Sequence, residues 1–357
     1  MGSLSESTRQ SESQPGCRSG AAYGGGVSNA PIAVPAEPSG TPGTPGTARA
    51  SRTAKASRTP GLAAAPDRAE VQVIAHRGAS GTLAEHTLAG YRLALEQGAD
   101  GLECDVRLTA DGQLVCVHDR TVNRTSNGRG AVSGLTLAQL SEFDFGSWKA
   151  EGSGPEHRSV LTLERLLELA AGCGLRVELA IETKHPIRQG GRLERALLEL
   201  LHRFDLVTPA SGEPCPVRIM SFSALSLRRV RALAPTIPTV YLMERVLPGL
   251  RGGRLPYGAR IAGPGIDLVR ANPGYVTALR RAGQRVRVWT VDEPADVELC
   301  LRLGVDTLIT NHPRRVLDLL GRAADGTSGT GGVDGTGGEH RDDEGPKRPK
   351  GPGSRAS

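Results

Sequence analysis

Aromatic side chains are scarce in this chain: four Phe, five Tyr and two Trp make up only 3% of it. No block of basic residues is interleaved with aromatics, so nothing reads as a nucleic-acid groove. The net charge of +6 and a pI near 9.2 therefore imply no more than a weak general attraction for polyanions. Apolar runs of about 18 residues are missing, which excludes an expected membrane-spanning helix. The opening MGSLSESTRQSESQPG has no apolar core of the signal-peptide kind, and Glu6 stands where a myristoylation pattern needs Ser or Thr. The expected location is the cytoplasm. The six cysteines (17, 104, 116, 173, 215 and 300) form no C-x-x-C and no metal-ligand spacing, so they read as free, mostly buried thiols. A phosphate-binding G-x-x-x-x-G-K-[ST], a well-placed G-x-G-x-x-G and a G-x-S-x-G elbow are all absent.

What is present divides unevenly along 357 residues. Residues 1–68 are rich in Ser, Gly, Pro, Thr and Ala, and 323–357 in Gly, Thr and charged residues. Neither stretch can bury enough apolar surface to offset chain entropy, and both are expected to be disordered tails. The remainder, 69–322, has about the length of one (β/α)₈ barrel.

Within it, strand-like runs alternate with amphipathic ones, the pattern of a parallel sheet. The strand candidates are VQVIA (71–75), GLECDV (101–106), LVCVH (114–118), RVELAIE (176–182), VRIMSF (217–222), TVYLM (239–243), GIDLV (265–269), RVRVWTV (285–291) and DTLIT (306–310). TLAGYRLALEQG, TLERLLELAAGCG, GRLERALLELLHRF, SALSLRRVRALA, GYVTALRRAG and EPADVELCLRLG are the expected helices, several stopped by Gly. Nine strand candidates exceed the eight places of a barrel. Only TADGQ separates the second from the third, a hairpin-like turn and not a crossover. Either that pair is irregular or a later candidate is no barrel strand. Residues 119–160 read as a small insertion after the third strand.

Polar residues gather at the ends of these apolar runs. Glu103 and Asp105 lie two apart, hence on one face of a strand. Paired carboxylates repel unless a cation lies between them, and an all-oxygen set suits Mg²⁺ or Ca²⁺. The alternative is a solvated edge strand. Glu182 and Lys184 repeat the spacing: a third oxygen ligand and a point charge for a phosphate, or else a surface ion pair. His76 and His118 each end an apolar run. In a barrel the C-terminal strand ends open onto one face, where two imidazoles can share the roles of base and acid. Arg77 can join that face only from beyond the strand end, and Gly78 permits the turn; its forked guanidinium suits a phosphate. Trp289 either packs an apolar or sugar-like part of a substrate or plugs the barrel mouth. Such a set is what phosphodiester cleavage requires: a cation, basic side chains and a proton-transfer pair.

The ordered motifs HRG at 76–78, E-x-T at 85–87, E-x-D at 103–105, DG followed by HD at 118–119, E-x-K at 182–184, SF at 221–222, WTV at 289–291 and GVDTLIT at 304–310 resemble those of the glycerophosphodiester phosphodiesterase family over about residues 70–320. The resemblance implies a TIM barrel inserted after its third strand, and divalent-metal-dependent hydrolysis of glycerophosphodiesters to glycerol 3-phosphate and an alcohol. Carried over, it makes Glu103, Asp105 and Glu182 metal ligands and His76 and His118 the acid–base pair. Arg77 and Lys184 become phosphate-binding residues, and Glu85 orients Arg77. The family commonly has Asn where His86 stands here, and often Asn where Asp292 stands. The expected scheme has one histidine deprotonate the glycerol 2-hydroxyl, which attacks phosphorus, while the other protonates the leaving alcohol; water then opens the cyclic phosphate. Rival readings are a lysophospholipase D or phosphatidylinositol phospholipase C-like phosphodiesterase, and an inactive barrel acting as a binding module. The expected partner is a small molecule, not a nucleic acid.

Overall fold

The computed structural model describes residues 65–322, apart from 150, 151, 153, 175, 186–189 and 208–213. The expected tails lie outside the described residues except at 65–68, and so does Cys17.

Among the described residues nine strands follow in order: β1 (Gln72–His76), β2 (Gly101–Leu108), β3 (Leu114–Cys116), β4 (Glu178–Thr183), β5 (Val217–Ser221), β6 (Thr239–Met243), β7 (Ile261–Pro264), β8 (Arg285–Val288) and β9 (Thr307–Thr310). Every strand but β3 pairs in parallel with its ring neighbours, and β1 pairs with both β2 and β9, which closes a TIM barrel of eight strands. Strands in such a ring are covered on both faces, hence their continuous apolar runs; β4 and β6 are buried along their whole length.

Both alternatives left open for the nine strand candidates hold. LVCVH takes no barrel place: β3 folds back antiparallel on β2, with Val106 opposite Cys116, and hangs outside the ring. The Asp-Gly turn before it is too short for a crossover, so it can only make a hairpin. GIDLV is no strand but helix α7 (Ile266–Ala271). The seventh barrel strand precedes it as IAGP, whose Gly and Pro have poor β propensity.

The remaining helices are α1 (Leu88–Glu96), α2 (Leu137–Ser141), α3 (Pro155–Arg158), α4 (Leu163–Gly172), α5 (Arg192–Arg203), α6 (Ala224–Leu233), α8 (Pro273–Arg281), α9 (Pro294–Leu303) and α10 (Pro313–Leu319). The sequence marks their starts. Thr87, Thr162 and Ser223 accept hydrogen bonds from the amides three residues on, caps worth about 1 kcal/mol each. On α5, Leu193, Leu197, Leu200 and Leu201 recur at helical spacing and are all buried against the barrel. Each contributes about 1.5–3 kcal/mol relative to exposure. Between β6 and β7 only two 3₁₀ turns replace the usual helix.

The chain between β3 and α4 packs with Val115 of β3 into its own apolar nucleus, with Val117, Val122, Val132, Leu140 and Phe145. It stands beside the C-terminal ends of β1 and β2, linked there by Arg124, whose guanidinium bonds both carboxylate oxygens of Glu85. Cys104, Cys116, Cys215 and Cys300 are free and buried.

Candidate active site

Strand register assembles the site. His76 lies opposite Glu103 across β1 and β2, and Asp105 opposite Glu182 across β2 and β4. The side-chain oxygens of Glu103, Asp105 and Glu182 can all lie within 4.8 Å of one another, and all three residues are buried. Burial and mutual repulsion raise the Glu103 carboxyl well above its ordinary value and push Glu182 up to about 8. Burial works on Asp105 in the same direction, but Lys184, His86 and Arg77 outweigh it and hold that carboxyl well below its ordinary value. A buried trio of hard oxygen donors, two of them costly to ionise, is a set that a divalent cation would relieve.

The two expected phosphate cations lie against these acids. Lys184 Nζ is 3.0 Å from Asp105 Oδ1 and 2.8 Å from Glu182 Oε1. Arg77 Nε is 3.0 Å from Asp105 Oδ2, and its Nη1 donates to Glu85 Oε1 at 3.1 Å. Arg77 reaches this face because its own backbone is left-handed (φ 57°), followed by Gly78 (φ 85°). A β-carbon on Gly78 would stand 2.8 Å from the Gly90 carbonyl carbon, so the turn needs glycine.

His76, Arg77, Glu103, His118, Glu182, Lys184 and Trp289 line one cavity at the C-terminal mouth of the barrel. His118 arrives there by way of the hairpin whose turn the sequence marks at TADGQ. It lies two residues past the outlying hairpin strand β3, and Val117 donates to the Asp105 carbonyl, which sets His118 level with the acids. Behind the rings, His76 Nδ1 is 2.7 Å from Asn311 Oδ1 and His118 Nδ1 is 2.7 Å from Asp119 Oδ1. Neither Asn311 nor Asp119 lines the cavity. Both Oδ1 atoms accept, so each Nδ1 carries a proton and each Nε2 is left for chemistry. Burial and the adjacent Arg77 lower the His76 pKa to about 4. Desolvation also lowers His118, against the pull of Asp105 and Asp119.

Trp289 uses its indole N–H on the Gly263 carbonyl at 2.8 Å and stands edge-on to Phe222, centroids 5.5 Å apart. Its ring is therefore a wall of the cavity, shared with Phe222, Met220 and Leu242.

Comparison with known proteins bears on the family of the chain. The profile of the glycerophosphoryl diester phosphodiesterase family matches residues 76–315. The chain is 45% identical over 247 residues to a Mycobacterium tuberculosis protein named "Probable glycerophosphodiester phosphodiesterase 1", covering 68% of this chain and 90% of that one. It belongs to the glycerophosphoryl diester phosphodiesterase family. It is an enzyme of the phosphodiesterase class. Glycerophosphodiester phosphodiesterase of Bacillus subtilis is 36% identical over 256 residues, 70% of this chain and 85% of the relative. Among solved structures, an Oleispira antarctica phosphodiesterase in complex with the product sn-glycerol-3-phosphate superposes with a TM-score of 0.61 at 26% identity, covering 70% of this chain and 96% of that one.

Against the family pattern, His86 has a physical place. Its backbone is left-handed (φ 59°), a conformation that Asn and His tolerate better than most residues. Burial lowers its pKa. Its Nε2 donates to Asp105 Oδ2 at 3.0 Å, and its Nδ1 lies 2.8 Å from the oxygen of the Tyr91 hydroxyl, which itself donates to the Glu103 carbonyl at 2.9 Å. It thus supplies Asp105 with the N–H that an Asn amide would.

Sequence reading passed over several residues around the site. Asp119 and Asn311 had the same signal as the histidines, a polar residue just past an apolar run. Glu244, exposed at the end of β6, and Phe222 past β5 also line the cavity. Arg124 had no local signal; it is recruited from the segment between β3 and α4. Of the other histidines, His185 stands 3.5 Å from the buried Glu194 and lines no part of the cavity.

Proposed function

We propose that this protein hydrolyses glycerophosphodiesters to glycerol 3-phosphate and an alcohol, with a divalent cation held by Glu103, Asp105 and Glu182. One observation carries the reading: two histidines, each tied at Nδ1 from behind, line the same cavity as two of the acids of a buried carboxylate trio. The cation, Mg²⁺ or Ca²⁺ by its oxygen donors, supplies neutralisation of phosphoryl charge as it grows in the transition state. Arg77 and Lys184 add fixed positive charge on the same side.

His76 is the base. Its Nδ1 is held protonated by an amide oxygen, its pKa is low, and its Nε2 stands 4.0 Å from Glu103 Oε2, at the edge of the acid trio. Nε2 removes the proton from the glycerol 2-hydroxyl, whose oxygen bonds to phosphorus. His118 is the acid. The Asp119 carboxylate behind it favours the imidazolium, whose Nε2–H protonates the alcohol oxygen as its bond to phosphorus breaks. In the second half His118 takes a proton from water, the water oxygen bonds to phosphorus, and His76 returns its proton to the 2-oxygen as the bond between that oxygen and phosphorus breaks. Phe222 and Trp289 form the apolar wall against which the substrate packs.

The test is a panel of glycerophosphodiesters assayed with several divalent cations and followed by phosphorus NMR. Glycerol 3-phosphate should accumulate, EDTA should abolish turnover, and Mg²⁺ or Ca²⁺ should restore it. A cyclic phosphate as sole final product would favour the phospholipase-like reading. No turnover with any cation would favour a binding module.

A further inference from the structure

We propose that Asp292 and Asn311 are positioning residues that set the tautomer of His76, and that exchanging the carboxylate and the amide between these two positions is tolerated while changing Asp292 alone is not. The inference rests on the reading of His76 as the base.

The two ends of the Asn311 amide are told apart by their partners. Asn311 follows β9 and Asp292 follows β8 by a few residues, so the closed ring brings them side by side. Asp292 Oδ1 accepts from the Thr310 hydroxyl and from the Asn311 backbone N–H, both at 2.8 Å. Asp292 Oδ2 accepts from Asn311 Nδ2 at 2.6 Å. A carboxylate can only accept. It therefore holds the NH₂ end of Asn311 against itself and turns Oδ1 the other way, to His76 Nδ1 at 2.7 Å. That oxygen needs a proton from the ring, so Nδ1 is protonated and the lone pair is on Nε2, the nitrogen that faces the acids.

Ser80 does not share this role. Its Oγ lies 2.7 Å from Asn311 Oδ1 and 2.6 Å from the His76 carbonyl. A hydroxyl can donate to the carbonyl and accept from an NH₂ group, so it fits either orientation of the amide. Only Asp292 distinguishes them.

In the Asp292→Asn variant, the oxygen of the introduced amide is claimed by two donors, the Thr310 hydroxyl and the Asn311 backbone N–H. Its NH₂ then faces the Asn311 side chain, which must turn its oxygen toward it and its own NH₂ toward His76. Nδ1 becomes the acceptor, and the proton moves to Nε2, where it blocks base catalysis. The opposite orientation of the introduced amide leaves a backbone N–H facing an NH₂ group, a lost bond with no replacement. Adding Asn311→Asp restores every pairing. One oxygen of the relocated carboxylate faces His76 Nδ1–H, and the other takes the NH₂ of the amide now at position 292. The oxygen of that amide keeps its two donors.

The test uses the full chain with Mg²⁺ at pH 7.5, labelled with ¹⁵N-histidine, the His76 ring identified by its loss in His76→Asn. Long-range proton–nitrogen correlation should show Nδ1–H in the parent protein, Nε2–H in Asp292→Asn, and Nδ1–H again in Asp292→Asn/Asn311→Asp. The single variant should lose kcat by about 10²–10⁴-fold, the range for a disabled general base, with little change in KM. The double variant should recover most of it. An Asp292→Asn ring still protonated at Nδ1, or a double variant still protonated at Nε2, overturns the proposal; should the single variant not fold, the double variant decides alone. A fully active His76→Ala would instead sink the assignment of the base and leave the tautomer result standing.

Discussion

Asp105 is gripped from two sides: His86 Nε2 lies 3.0 Å from its Oδ2, and Lys184 Nζ 3.0 Å from its Oδ1. This carboxylate is thereby oriented by neighbours on two other segments of the chain. His86→Asn keeps an N–H donor and suits the left-handed backbone, losing only the bond to Tyr91. It is expected to retain metal-dependent activity. His86→Leu takes the ring N–H away from the buried Asp105 carboxylate, at about 1–3 kcal/mol, while Tyr91 keeps its bond to the Glu103 carbonyl. Thermal melts and Mg²⁺ titrations of the two variants should separate clearly; equal behaviour would show that the ring serves packing alone.

Removing a carboxylate from the trio tests the cation site. Glu182→Gln removes a donor whose ionised form is expensive without a cation, its pKa being about 8. The variant should bind Mg²⁺ or Ca²⁺ far more weakly by calorimetry yet be no less stable than the parent in EDTA. Unchanged affinity would exclude Glu182 as a ligand.

Acid stability follows from His76. Burial and Arg77 lower its pKa from 6.5 to about 4, so between these values the unfolded chain binds more protons than the native one. Stability is therefore fully present above about pH 6.5 and falls as pH drops toward 4, by about 3 kcal/mol from this residue. Urea unfolding of the parent and of His76→Asn across that interval should show the slope reduced in the variant.

His118→Ala should lower kcat by about 10²–10⁴-fold with a modest change in KM, as expected for loss of a general acid. An activated substrate whose alcohol leaves without a proton should recover much of that rate in the same variant. Near-parent turnover on ordinary substrates would remove His118 from the chemistry.

Gly78→Ala should destabilise the protein by about 1–3 kcal/mol. The backbone there has φ 85° and an added carbon would press on Gly90. Because Arg77 is placed by the same turn, KM should rise as well. A melt unchanged from the parent would mean that the turn relaxes freely.

Much of this protein was legible in its sequence. Apolar runs buried on both faces, Thr and Ser caps and Gly stops located the expected helices and all but one of the barrel strands, because those signals act over a few residues. Local pattern also placed His76 and Glu182 near strand ends, and Glu103 and Asp105 on one face of a strand. It failed at GIDLV, where a short apolar run fits strand or helix equally, and at IAGP, where low propensity hid a strand that its neighbours complete. Only the closed ring decided the rest. The register that sets Asp105 beside Glu182, the hairpin that returns His118, the reach of Arg124 to Glu85, and the meeting of Asp292 with Asn311 all join residues far apart in the chain. Hydrogen-bond direction and charge proximity depend on separations of a few ångströms, and those are fixed by packing across the barrel, which no single segment encodes.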